Sequence, residues 1–275
     1  MLTCVAHNPA DELPDVPRAI DTSVPHIARV YDFWLGGKDN FEADRQAGRK
    51  AAEANPALLQ GVRGNRAFLA RSVRYLASEC GIRQFLDIGT GIPAANNTHE
   101  VAQAVAPGSR VVYVDNDPIV LAHARALLKD GAGQTAYLDA DIRNTGEVLT
   151  AARAALDFSQ PVALMLIAVL HCIPDEDDPL AIVRELVAAV PPGSFLALTH
   201  PGSDFHPENM GAVASRLNEA MPSKITFRTR DQVLSFFEGL DLVEPGLIRA
   251  PEWRPDSPED TANPAEVWAG VARKP

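Results

Sequence analysis

The sequence predicts an α/β fold: a mostly parallel seven-stranded sheet with an antiparallel edge strand, held between two helical layers and preceded by a helical extension. Three observations predict it. From residue 83 onward, short apolar runs alternate with amphipathic helical patterns, the signature of a parallel sheet covered on both faces. The run Pro161–Leu170 is almost wholly apolar, as a central strand buried on both faces requires. The strand Gln84-Phe85-Leu86-Asp87-Ile88 enters a Gly89-Thr90-Gly91 turn, and a second apolar strand ends at Asp115, 24 residues after Gly91.

The elements follow in order. Residues 1–22 are rich in Pro and acids without periodicity, and are expected to form a mobile or surface-draped tail. From Val24 to about Cys80 the pattern is helical. Ile27, Val30, Tyr31 and Trp34 make one stripe that stops at Gly36-Gly37, and Phe68, Leu69, Ser72, Val73 and Leu76 form the inner face of a second helix that ends at Gly81. The change of pattern divides the chain into 1–80, a tail with a helical extension or lid, and 81–275, the main domain. Strand 84–88 is followed by a helix opening at the capping box Asn97-x-x-Glu100. Strand 110–114 precedes a helix over 117–129, with Asp117-Pro118 as cap and first turn. Then come strand 135–138, a helix near 145–155, strand 161–170, a helix over 177–190, strand 195–199, and helices near 207–220 and 230–238. Strands Leu242–Leu247 and Val267–Ala272 suit an antiparallel edge pair around the loop Pro251–Pro264.

Bulk properties narrow the function classes. An apolar content of 46% suits a chain that buries a sizeable core. No apolar run is long enough to span a bilayer, and the N-terminus shows no secretory pattern. Three widely spaced cysteines argue against a disulfide framework or a zinc knuckle, so a cytoplasmic location and no metal are expected. The net charge of −11 falls wholly on residues 81–275, which hold 15 Lys/Arg against 26 Asp/Glu, while residues 1–80 hold 10 of each. An acidic main domain repels phosphate backbones, so no nucleic-acid partner is expected. The oligomeric state stays open.

The glycine turn and Asp115 point to a nucleoside. Glycine lets the backbone turn sharply and approach a ligand, and an acid at the tip of the neighbouring strand can accept hydrogen bonds from ribose hydroxyls. Gly89-x-Gly91-x-x-Ala94 also fits a dinucleotide loop, which keeps an NAD(P)-dependent oxidoreductase open. Asp87 points elsewhere: a buried carboxylate suits a cofactor with a free ammonium and is poorly placed beside a pyrophosphate. Pro93 and Asn96-Asn97 also delay the helix whose N-terminus would hold a pyrophosphate.

The series Asp87-x-Gly89-x-Gly91, Asp115, Asp139-Ala140-Asp141, Leu170-His171-Cys172-Ile173-Pro174 and Pro192-Gly193-Ser194 resembles the motifs of class I S-adenosylmethionine-dependent methyltransferases. Residues 28–41, Asn65-Arg66-x-Phe68 and Gln84–Pro93 resemble more narrowly an actinobacterial family of S-adenosyl methyltransferases of unknown function. That resemblance spans nearly the whole chain. It implies the Rossmann-like class I methyltransferase fold and the cofactor S-adenosyl-L-methionine, and it supplies no substrate. By the same resemblance Gly89, Thr90 and Gly91 line the methionine moiety, Asp87 faces its ammonium, Asp115 holds the ribose, and Asn116 lies beside adenine. Asp141 meets the adenine amine, Ile142 offers its N–H to the ring, Ala168 floors the cofactor, and Tyr31 touches its methionine end. Asp139 competes with Asp141, one of them capping the next helix.

For proton removal His171 is the first candidate, because imidazole titrates near neutral pH; the alternative is a packing role under the loop. His200 is a weaker candidate. Asp175-Glu176-Asp177-Asp178 is either a solvated helix start or a seat for a cationic substrate. Residues around Gly36-Gly37 either close over the cofactor as a lid hinged at those glycines and supply the pocket for a small-molecule methyl acceptor, or merely form an apolar cover for one sheet face. A cofactor-binding regulatory protein without catalysis is the third functional reading.

Overall fold

A computed structural model of the chain describes residues 20–120, 122–123 and 134–275. Most of the expected tail and most of the helix over 117–129 lie outside these residues. Among the described residues three helices come first, α1 (Ile27–Leu35), α2 (Glu42–Ala54) and α3 (Leu58–Ser78). Gly36 ends α1 at φ 81°, its N–H reaching the carbonyls of Asp32 and Phe33. A side chain at Gly37 would fall on the Asp32 carboxylate, whose Oδ2 accepts bonds from the Asp39 N–H and the Asn40 amide, so the Gly-Gly break is a tied turn. α2 buries Asp44, Ala47, Gly48 and Ala51, the i, i+3, i+4, i+7 spacing of one helical face.

The sheet contains β1 (Gln84–Ile88), β2 (Arg110–Asp115), β3 (Thr135–Asp139), β4 (Ala163–Ile167), β5 (Phe195–Pro201), β6 (Asp241–Leu242), β7 (Ile248–Arg249) and β8 (Val267–Arg273). Its order is β3-β2-β1-β4-β5-β8-β6, with β7 also on β8. The first five strands are parallel, and β8 runs antiparallel to β5, β6 and β7. Strand order reverses between β1 and β4, which opens a crevice at their carboxyl ends.

Side chains alternate across this sheet and build two cores. Leu86, Ile88, Val112, Val114, Leu164 and Leu166 pack against α5 (Thr145–Ala152) and α6 (Pro179–Ala189). Phe85, Val111, Tyr113, Ala163 and Met165 pack against α3 and α4 (Thr98–Val105). All five inner residues expected for the second helix are buried in α3. Because α3 forms one layer of the sandwich, residue 80 marks a change of pattern and no gap in packing. α1 and α2 instead bury Val30, Trp34, Ala47 and Ala51 with Val213 and Leu217 of α7 (Pro207–Ala220), beside the crevice. No helix among the described residues is long and apolar enough to cross a membrane.

Several expectations need correction. Among the described residues eight strands replace seven, because the expected strand Leu242–Leu247 breaks into β6 and β7. Pro245 has no N–H for a ladder, and Gly246, at φ 89°, turns the chain back with its N–H on the Val243 carbonyl. The central strand stops at Ile167, since Ala168 takes φ 52° and turns the backbone out of the sheet. α6 starts at Pro179, with the Asp178 carboxylate accepting from the Ala181 N–H. The expected helix over 230–238 is α8 (Arg230–Leu234) followed by a 3₁₀ turn, Ser235–Phe237. The caps agree with expectation: the Asn97 N–H donates to Glu100 at 2.9 Å, and Asp117 accepts from the Ile119 N–H at 2.8 Å at the helix opening at Pro118.

Candidate functional site

Two adjoining cavities open at the carboxyl ends of the parallel strands. The first, about 1050 Å³ including its open mouth, is lined by Asp87, Gly89, Thr90, Gly91, Asp115, Asn116, Asp141, Ile142, Ala168, Tyr31 and His171, so it gathers every expected site residue except His200. The second, about 630 Å³ on the same measure, lies under α1, α3 and α7. Ile27, Tyr31, Asn65, Ala168 and His171 line both and form the passage between them.

The glycine turn is held at both ends. Gly89 stands at φ 72° with its N–H on the Val114 carbonyl, and a Cβ there would lie 2.3 Å from a Val169 methyl. At Gly91, φ 66°, a Cβ would meet nothing within 4 Å, so the turn presents bare backbone to open space. The Gly91 N–H donates to Asp115 Oδ2 at 2.8 Å, and the Asp117 N–H to Oδ1 at 2.9 Å. Burial pushes the Asp115 carboxyl above its usual range, opposed by these two bonds. Each oxygen keeps a further lone pair for a ligand.

Asp87, 3% exposed, accepts a 2.6 Å bond from the Thr98 hydroxyl. Burial nevertheless pushes its carboxyl up to about 6. Asn116 donates to Asp141 at 3.0 Å, and Arg143 clamps the same carboxylate through its N–H and its guanidinium. Asp139 is exposed at the end of β3 and does not line the cavity, which leaves Asp141 as the acid at this edge.

Ala168 carries the left-handed turn at the passage, a conformation that costs an ordinary residue about 1–3 kcal/mol. A hydrogen-bonded chain holds it there. The Ala168 N–H donates to the Thr199 hydroxyl, which donates to the Asn65 carbonyl at 2.6 Å; the Asn65 amide then donates to the Tyr31 hydroxyl at 2.8 Å. Asn65 thus ties α1, α3 and β5 to the exit of β4.

His171 is buried, and its Nδ1 has no hydrogen-bond partner among the described residues. Burial, with a contribution from the Arg228 guanidinium, pushes it down to about 4, so titration near neutrality is corrected: this imidazole is uncharged at physiological pH. His200 lines neither cavity. Its Nδ1 sits 2.9 Å from the Pro201 carbonyl and its Nε2 3.1 Å from Arg228 Nη1, so Nδ1 carries the proton and Nε2 accepts. It supports the wall behind His171, and the expectation of a second base there is withdrawn. Buried Arg228 also donates to the carbonyls of Leu170 and Ile173, fixing the turn that carries His171.

Other cavity residues gave little sign in the sequence. His26 lines the first cavity and lies 2.6 Å from Asp117, pinning the start of α1 beside Asp115. Despite opposing burial, the His26 contact holds Asp117 below the usual carboxylate range. Asn65 and Arg66 stood only within the quoted motif. Asn55 and Glu266, 211 positions apart and hydrogen-bonded in the second cavity, carried no local signal. Among the described residues, no group of three or more His, Cys, Asp and Glu is arranged to hold a metal.

A family described as S-adenosyl methyltransferase matches residues 14–275. The chain belongs to it. The crystal structure of a DUF574 family protein from Streptomyces avermitilis is 45% identical, with a TM-score of 0.87, covering 93% of this chain and 99% of that one. A candidate methyltransferase from Thermobifida fusca is 42% identical, with a TM-score of 0.86, over 92% of this chain and 96% of that one. The N-methyltransferase NodS from Bradyrhizobium japonicum, solved with S-adenosyl-L-homocysteine, shares the fold at 14% identity and a TM-score of 0.50, over 90% of this chain and 99% of that one. No curated protein matches the chain. The protein is therefore an S-adenosylmethionine-dependent methyltransferase of the class I, Rossmann-like fold, and neither the oxidoreductase nor the non-catalytic reading gains support. The residues of this methyltransferase suit such a cofactor: bare backbone at Gly91, a buried acid at Asp87 for an ammonium, and an acid with free lone pairs at Asp115.

Proposed function

We propose that this methyltransferase methylates a small molecule seated in the second cavity, with the methyl group presented through the Tyr31–Asn65–Ala168–His171 passage. The observation that carries this reading is the sharing of those residues, together with Ile27, by the two cavities. Asp87 faces the cofactor's ammonium, Gly89, Thr90 and Gly91 follow its methionine part, and Asp115 holds the ribose. Asn116, Asp141 and Ile142 frame the adenine. The bound cofactor supplies an electrophilic methyl on a sulfonium, so the chain has to align the acceptor, exclude water and accommodate a proton.

His171 accepts a hydrogen bond from the nucleophile. At about 4 it is too weak to ionise a hydroxyl beforehand. Moving a proton to it from a hydroxyl of pKa ~10 costs about 8 kcal/mol, at 1.36 kcal/mol per unit. The nucleophile therefore has a free lone pair at neutral pH, or gives up its proton as the new bond forms. α1, pinned by His26 and Asp117, closes the crevice as a lid.

A Val213→Trp variant tests the acceptor assignment, since Val213 lines only the second cavity. Transfer of labelled methyl to small molecules of a cell extract should fall at least tenfold while affinity for S-adenosylhomocysteine is retained. Undiminished transfer would place the acceptor elsewhere.

A further inference from the structure

The second cavity is apolar along most of its wall, with Trp34, Leu58, Met210, Val213, Leu217 and Phe227 among its lining. Among the described residues that line it there is no Lys or Arg, and one carboxylate, Glu266. Glu266 is 7% exposed and hydrogen-bonds the Asn55 amide and the His206 ring. The His206 side chain is 70% exposed, so its pairing is open to water and readily exchanged. Asn55 is neutral. An acid in an apolar wall whose one charged partner is solvent-exposed can exchange that partner for the cationic group of a ligand.

Glu266 does not line the cofactor cavity, whereas His171 lines both. A group bound at Glu266 is thus separate from the atom that meets the methyl. Anionic ligands meet this carboxylate and, among the described lining residues, no Lys or Arg. A cationic nitrogen gains a charge-assisted bond while its hydrocarbon body fills the aliphatic wall.

Resting on the reading of this cavity as the acceptor site, we infer that the acceptor is a small amphipathic amine: a hydrocarbon or aromatic body whose cationic nitrogen is anchored by Glu266, with a separate nucleophilic group reaching the Tyr31–His171 passage. Glu266 is the specificity determinant, and acids and phosphates are excluded.

The test uses the full chain saturated with S-adenosylhomocysteine. Phenethylamine, phenethyl alcohol and phenylacetate, with their cyclohexyl counterparts, are measured by ligand-observed NMR. The amines should bind about tenfold more tightly than the alcohols, the loss of one charge-assisted bond, and the carboxylates should not bind. Glu266→Gln should erase the preference for amines and leave S-adenosylhomocysteine affinity unchanged. Equal binding by alcohols, binding by carboxylates, binding by none of the probes, or a preference that survives Glu266→Gln overturns the inference. Failure of S-adenosylhomocysteine itself to bind would instead overturn the reading of the cofactor site.

Discussion

Asp87 should make cofactor affinity depend on pH in a direction fixed by its surroundings. Free of ligand, its carboxyl is held up to about 6 by burial, so at pH 7.5 it is ionised and ready for an ammonium. At pH 5.0 only about one molecule in eleven carries the carboxylate, and the dissociation constant of S-adenosylhomocysteine should rise about tenfold, or ~1.4 kcal/mol. At pH 6.0 the rise should be about twofold. Folding responds with the opposite sign. A carboxyl raised above its unfolded value contributes stability below about pH 4, and that contribution is lost as pH rises through about 6. Its cost to the ligand-free protein at pH 7.5 reaches at most ~3 kcal/mol, the shift taken at 1.36 kcal/mol per unit. Asp87→Asn should therefore weaken binding at pH 7.5, flatten its pH dependence and raise the melting temperature of the ligand-free protein. Titration calorimetry at the three pH values, with thermal unfolding of both proteins, measures all of this. Affinity that stays constant from pH 7.5 to 5.0 in the natural chain, or the same slope in Asp87→Asn, would refute the reasoning.

Three further predictions follow from particular contacts. Gly89→Ala adds a methyl 2.3 Å from Val169 at a left-handed φ, so the turn must move; S-adenosylhomocysteine affinity should fall at least tenfold by calorimetry, and Gly91→Ala, also at a left-handed φ but with open space around it, should cost only about 1 kcal/mol of stability and lose affinity through obstruction. Arg228→Met leaves the buried Ile173 carbonyl without its guanidinium donor and the Leu170 carbonyl with only the Ile173 N–H, and should cost ~3 kcal/mol in denaturant unfolding. Asn65→Leu cuts the chain from Tyr31 to Ala168 and should lower the methyl-transfer rate on extract far more than it lowers cofactor affinity.

Much of the sheet was legible because its information is local. The apolar runs, the alternating helices and the caps at Asn97 and Asp117 each lie within one stretch of chain. The glycine turn, Asp115 and Asp141 could be placed at the first cavity from the sequence because they stand at strand tips. What stayed hidden was set by burial or distance. The pattern of residues 242–247 reads as a strand, and the turn at Pro245-Gly246 overrides it. His171 carries no sequence sign that burial removes its ordinary titration. Arg228 donates to carbonyls more than 50 residues away, and Asn55 meets Glu266 only in the folded chain.

The central claim is that the cofactor lies along the β1 turn with its ribose on Asp115 and its sulfur toward the second cavity. A crystal structure of the full chain soaked with S-adenosylhomocysteine tests it most directly. The account predicts ribose hydroxyls within hydrogen-bond distance of Asp115 and the sulfur at the passage between Tyr31 and His171. A ligand seated away from Asp115, or one whose sulfur turns from that passage, would contradict it.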